Sequence, residues 1–116
     1  MCTKSELQEV LTSVCEQAKM TFGEKLCAVF LYGSYARGDY DTESDVDILI
    51  LVDVPSHMLR NFDKAFTDYS LALDLKYNIV SSLVLQDKDT FDRYKSTYPF
   101  FKNILREGVD LIAQCR

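Results

Sequence analysis

The sequence is short of the residues that zinc sites, secreted scaffolds, nucleic-acid-binding faces and membrane spans require. It holds four cysteines, Cys2, Cys15, Cys27 and Cys115, without a CxxC pair, and a single histidine, His57. That pattern gives neither zinc-ligand spacing nor a dense disulfide framework, so reduced thiols are expected. Cys15 and Cys27 are expected to be partly buried, and Cys2 and Cys115 to lie near frayed ends. No run of Lys or Arg has the length of a basic arm, and the net charge is −5. Broad nucleic-acid binding, which needs a basic face, is therefore not expected. Apolar runs such as Ile48 to Val52 are far too short to cross a bilayer. The N-terminus is polar and has no apolar signal segment. These absences point to the cytoplasm and away from the membrane. No internal repeat, low-complexity tract or linker breaks the chain.

What is present is an ordinary globular composition in 116 residues, which predicts one domain spanning residues 1–116. A chain of this size buries one core but does not enclose a large pocket, so an open cleft is expected, completed in some cases by a partner. Thr3 and Glu6 have the spacing of a capping box. Leu7, Val10, Leu11, Val14 and Ala18 then recur at helical intervals, and Gly23 stands where that helix would end. "KLCAVFLYG" (25–33) and "DVDILILVD" (45–53) read as buried strands. Pro55 opens a long helix to about Lys76 through Phe62, Phe66, Tyr69 and Leu73. "NIVSSLVLQ" (78–86) is a third strand with a polar pair at its middle.

Asp87 or Asp89 caps a short helix through Tyr94, Pro99 begins another that Gly108 ends, and 109–113 is a short strand or coil. The order predicts an α/β (α+β) domain with helices on one side of a small sheet, either parallel or mixed.

"YGSYARGDYDTESDVDILIL" (32–51) carries the densest chemistry. Gly33 and Gly38 have the glycine spacing of a Walker A loop, but Asp39 and Tyr40 occupy the places of its Lys and Ser/Thr. An EF-hand loop is excluded too, because its sixth position would be Ser44 or Val46 and its twelfth Ile50 or Val52. A third arrangement fits. Residues two apart on a strand face the same way, so Asp45 and Asp47 present two carboxylates suited to hard divalent cations. Gly33 lets backbone approach a phosphate. Ser34 opens a short helix, "SYARG", with a hydroxyl and an N–H that favour anions. Arg37 either reaches a phosphate oxygen or pairs with a nearby acid. Asp39, Asp41 and Glu43 read as loop solvation and His57 as an exposed first-turn residue. Phe62, Phe66 and Tyr69 read as core. Tyr94, Tyr98, Phe100 and Phe101 are either core or a patch for a partner.

Gly33-Ser34, ten intervening residues, then Asp45-Val46-Asp47 and an apolar run resembles the signature of the polymerase-β-like nucleotidyltransferases. With "ARG" after "GSY" and "SD" before "VD", it is similar to their minimal members in bacteria and archaea. The resemblance implies the fold of that superfamily, a small mixed β-sheet flanked by helices. It also implies transfer of a nucleoside monophosphate from a triphosphate, expected to be ATP, to a hydroxyl, with two Mg2+ ions. Asp45 and Asp47 would be catalytic metal ligands, Gly33 and Ser34 would bind nucleotide phosphates, and Arg37 would assist them.

The sequence departs from that pattern in one respect. Fully active members carry a third carboxylate on a following strand, where this chain has Ser81 and Ser82. Serine is neither an anionic ligand nor a useful base at neutral pH. Asp74 would supply the acid only if "LALDLKY" were a strand and not the end of a helix. Minimal members often pair with a helical HEPN-type toxin as its antitoxin, some by transferring AMP to it. The alternative expectation is therefore an antitoxin-like interaction module with weak or no catalysis.

Overall fold

The protein, described by a computed structural model, is defined over residues 4–40 and 45–114. Thr3 of the expected capping box, Asp41, Glu43, Cys2 and Cys115 lie outside the described residues.

Helix α1, Lys4–Phe22, buries Val10, Leu11, Val14, Cys15, Ala18 and Phe22, the expected stripe continued one turn further. Gly23 takes a left-handed φ of 55°, which a glycine adopts without steric cost, and a 3-10 turn over Gly23–Lys25 leads into β1, Leu26–Tyr32. A single helical turn, α2, follows at Ser34–Arg37, and β2 is Val46–Val52. The helix expected to run unbroken from Pro55 is interrupted. It forms as α3, Ser56–Leu59, a 3-10 turn over Arg60–Phe62, and α4, Asp63–Tyr77. On either side of the junction two rings share one partner: Phe62 packs on Phe22 with centroids 4.9 Å apart, and Phe66 stacks on it at 5.7 Å.

Asn78 closes α4 in the left-handed conformation, at φ 54°, and donates its N–H to the Asp74 carbonyl. This delays the third strand, which begins at Ser81 and is β3, Ser81–Asp87. The serine pair expected at the strand's middle therefore opens it. Asp87, not Asp89, caps α5, Lys88–Tyr94, its Oδ2 accepting from the Thr90 N–H at 2.8 Å. Pro99 sits in the first turn of α6, Pro99–Glu107. A two-residue strand, β4 at Val109–Asp110, and a last turn, α7 at Leu111–Gln114, complete the described chain.

The sheet is mixed, in the order β3-β2-β1-β4. β1 runs antiparallel to both β2 and β4, while β2 and β3 are parallel. Contrary to the sequence expectation, helices cover both faces. On one face Val29, Leu31, Val46, Ile48, Ile50 and Val52 meet the apolar sides of α1 and α4. On the other, Ala28, Leu49 and Leu51 meet Phe91 of α5 and Phe101 and Ile104 of α6. A sheet covered twice explains why β2 is nearly all apolar from Ile48 onward. Cys15 is buried and Cys27 half-buried, both as free thiols, and His57 is exposed. No helix among the described residues is long and apolar enough to cross a membrane.

Asp87 joins the edge strand to α5, so its cap should be measurable. Asp87→Ala is expected to lower stability by about 1 kcal/mol, read as a lower urea midpoint with an unchanged slope.

Candidate functional site

The site forms where β1 and β2 end side by side. Tyr32, the last residue of β1, pairs across the sheet with Asp47 near the start of β2. Asp47 in turn lies in register with Ser82 on β3. Paired residues share a face, so Tyr32, Asp47 and Ser82 form one cross-strand row. Strand alternation puts them on the α5/α6 side, with Leu49 and Leu51. Asp45, exposed just before β2, falls on the same face by the same parity.

Gly33 follows Tyr32 with φ 75°, a conformation that excludes ordinary side chains. A Cβ at this position would stand 2.5 Å from Oδ2 of Asp47. The glycine was expected to admit a phosphate. Its bare Cα also leaves room for the Asp47 carboxylate, so the Gly-Ser turn and the second acid lie against each other. Ser34 then opens α2, whose turn closes through the Gly38 and Asp39 N–H groups donating to the Ser34 carbonyl at 2.9 and 3.1 Å. Gly38, at φ 84°, ends it. Stacking of Tyr35 on Tyr40, 4.4 Å between centroids, holds the following residues against the turn.

Both alternatives for Arg37 bear on the site. Its Nε pairs with Asp39 at 3.1 Å, as the loop-acid reading anticipated, and its guanidinium also reaches Glu107 at the end of α6 at 3.5 Å. The hydrogen bond and charge of Asp39, then those of Glu107, hold its pKa above the ordinary value, so it stays cationic. Its charge is also felt at Asp47. There burial, and secondarily the negative charge of Asp45, push the carboxyl pKa up, while Arg37 pulls it down. Tyr32 responds to the same acid. Burial first, and the Asp47 charge second, push its phenol up to about 12, so it remains a neutral hydroxyl. The edge of Phe100 packs on its ring at 5.4 Å.

Asp74 is not in this row. It lies in α4 and its Oδ1 accepts from the Ser81 N–H at 2.8 Å, so its carboxylate braces the edge of β3. Among the described residues no group of three or more His, Cys, Asp or Glu side chains comes together. The two acids nonetheless suit a hard cation. One like charge raises the pKa of the other, and magnesium completes its shell with phosphate oxygens and water. Tyr32, Glu107 and Phe100 escaped sequence reasoning because only strand register and helix packing bring them here.

The chain matches the nucleotidyltransferase domain family over residues 7–108. It belongs to that family. A candidate protein adenylyltransferase of Methanocaldococcus jannaschii is 38% identical over 90 residues, covering 78% of this chain and 82% of the relative. The protein adenylyltransferase MntA of Thermococcus cleftensis is 39% identical over 88 residues, covering 72% and 87%. Among solved structures, a toxin–antitoxin with AMP-PNP superposes with a TM-score of 0.51 at 18% identity, over 84% of this chain and 68% of that one. A mutant of the toxin–antitoxin MntA–HpeT superposes at 0.50 and 16% identity, over 85% and 70%. At such identities the likeness concerns the fold, and it is the nucleotidyltransferase fold that the Gly-Ser and Asp-x-Asp signature implied.

The pKa shift at Asp47 gives this nucleotidyltransferase domain a signed pH dependence. The folded state keeps the Asp47 proton to a higher pH than the unfolded chain, whose Asp titrates near about 3.9. Between that value and the raised folded one, the native state binds more protons, so cation-free stability falls as pH rises. Above both, the loss is complete. Asp47→Asn should therefore melt higher than the parent at pH 7 in EDTA; a lower melting temperature would mean the carboxylate supports the fold. Gly33→Ala should do the opposite and melt lower, because it must move either the turn or Asp47.

Proposed function

We infer that this nucleotidyltransferase domain, acting as a single unit over residues 1–116, moves AMP from ATP to a hydroxyl of a protein partner. The observation that carries this reading is the packing of the Gly33-Ser34 turn against Asp47, with Asp45 on the same face and the Arg37 charge beside it. The protein adenylyltransferase names of its relatives support the choice of nucleotide and acceptor.

In this reading Asp45 and Asp47 are the catalytic carboxylates and the ligands of Mg2+, two ions in a fully active site. When bound, the cations supply Lewis-acid activation of the acceptor hydroxyl and neutralise the leaving pyrophosphate. The rest is done by the chain. Ser34 donates its hydroxyl and N–H to the triphosphate, and the Gly33 turn fixes their direction. Arg37 exchanges Asp39 and Glu107 for phosphate oxygens, a trade eased because the Asp39 pair is solvent-exposed and weak and the half-buried Glu107 is held only at 3.5 Å. The half-buried Asp47 is held on one side by the Gly33 backbone, which limits the positions its carboxylate can take.

The incomplete part is proton removal. Ser82 stands in register with Asp47 but has no useful basicity at neutral pH. Turnover is therefore expected to be slow unless the acceptor brings its own base. The same observation favours a second reading, an antitoxin that neutralises a helical HEPN-type toxin by binding, with little or no transfer. The cytoplasm, where triphosphate is available, is the compartment that either reading requires.

The two separate on incubation with Mg2+, labelled ATP and a co-encoded partner. Label on the partner supports the transferase; a stable complex without label supports the binding module. Mg2+ with ATP should raise the melting temperature of the parent, and Asp47→Asn should abolish that rise. No shift with any nucleotide would count against both the site and its chemistry. Ser82→Asp, which places a third acid beside Asp47, should tighten divalent-cation binding and speed any transfer at least several-fold.

A further inference from the structure

Helix α6 flanks the site over two turns. Phe100, in its first turn, packs on Tyr32 with centroids 5.4 Å apart, and Glu107, at its end, reaches Arg37 at 3.5 Å. Next to the Phe100 contact, α5 and α6 leave a groove of about 390 Å³, lined by Thr90, Tyr94, Tyr98 and Phe101. Tyr94 and Tyr98 are 46% and 52% exposed, and Leu105, one turn beyond Phe101, is 50% exposed. Tyr98 and Tyr32 both contact Phe100, at 6.4 and 5.4 Å, so one ring separates the groove from the site. A chain seated on Tyr98 would reach Tyr32, beside Asp47, within about four extended residues.

The same stretch is the basic part of an acidic protein. Residues 88–107 hold five Lys or Arg against three Asp or Glu, whereas the whole chain has a net charge of −5. Lys88 and Lys95 share Asp92, each at 3.6 Å, and Arg106 lies on Glu107. Arg93 and Lys102 are exposed and have no ion-pair partner among the described residues. Helical spacing puts Arg93 one turn after Thr90 and Lys102 one turn after Tyr98, so both charges flank the apolar lining.

We propose that this groove docks the acceptor, as an acidic segment of the partner protein anchored by one apolar or aromatic side chain. The inference rests on the protein-acceptor reading above and adds where, and by what chemistry, the acceptor is held. The anchor fills the space between Tyr94, Tyr98 and Phe101, and its flanking carboxylates meet Arg93 and Lys102. Exposed tyrosine beside unpaired arginine is the composition that interface centres favour. The acceptor hydroxyl then passes Phe100 toward Asp47, while the acids stay on the groove side. A basic segment would be repelled by the two free cations. A nucleic-acid strand fits less well, because its charge recurs at every nucleotide and calls for a longer basic track than two side chains provide.

Fluorescence anisotropy on the full chain tests this with two labelled peptides. One carries a phenylalanine between two pairs of glutamates; the other has lysines in place of the glutamates. The glutamate peptide should bind, more weakly as salt rises, and the lysine peptide should not. Arg93→Glu/Lys102→Glu, which changes only exposed positions, should weaken the glutamate peptide roughly tenfold or more. Tyr94→Ala, which removes one wall of the groove, should weaken it as well. Both variants should keep the rise in melting temperature with Mg2+ and ATP, so loss of docking is read apart from loss of the nucleotide site. A glutamate peptide that does not bind, or that binds the charge-reversed variant undiminished, overturns the proposal. So does equal binding of the lysine peptide. Tighter binding of single-stranded oligothymidylate, lost in the same variants, would also overturn it by making this face a nucleic-acid surface.

Discussion

The contact between the Gly33 backbone and the Asp47 carboxylate is the constraint on which the rest of the site depends. It joins the end of β1 to the start of β2 at a position where a Cβ would collide with the carboxylate. From it follow the direction of α2, the position of Ser34, and the nearness of Arg37 to the acids. The fold around it is arranged to keep that contact fixed. β1 and β2 pair without a break from Ala28 and Leu51 to Tyr32 and Asp47, and apolar layers on both faces leave their ends little freedom to drift.

Charge at this end of the sheet is arranged in opposition. Asp47 is buried enough to resist ionisation and sits beside Asp45, which resists it further. Arg37 offsets both but is itself divided between Asp39 and Glu107. In the absence of cation and triphosphate the site is thus an unsettled set of charges in which each member already has a competing neighbour. In the reading proposed above, a divalent cation would relieve the repulsion between Asp45 and Asp47, and a polyphosphate would take Arg37 from Asp39 and Glu107.

Much of this was legible in the sequence. The Gly-Ser and Asp-x-Asp spacing identified the family, and the apolar runs located the strands to within a few residues. What escaped detection was set by contacts between distant segments. Nothing local reveals that Tyr32 stands beside Asp47 or that Glu107 reaches Arg37, because register and helix packing decide both. The interruption after Leu59 was hidden because Phe62 and Phe66 satisfy helical spacing on either side of it. The start of β3 was misplaced because Ile79 and Val80 are apolar and β-branched like a strand, although they follow Asn78, the left-handed end of a helix. The covering of the second sheet face depended on where α5 and α6 fold back, which their short apolar patterns do not specify.

The alternation of β2 has a consequence for how this protein can change. Its even-numbered side chains hold one core and Leu49 and Leu51 hold the other, while Asp47 contributes to neither. Folding therefore exerts no selection in favour of that acid and some against it. A lineage that ceased to need the reaction could lose the carboxylates one by one and keep a sound, even sturdier, scaffold for binding other proteins. In such a fold the presence of Asp47 is not explained by packing, and Ser82, in register with it, is a position where the architecture would accept an acid as readily as a hydroxyl.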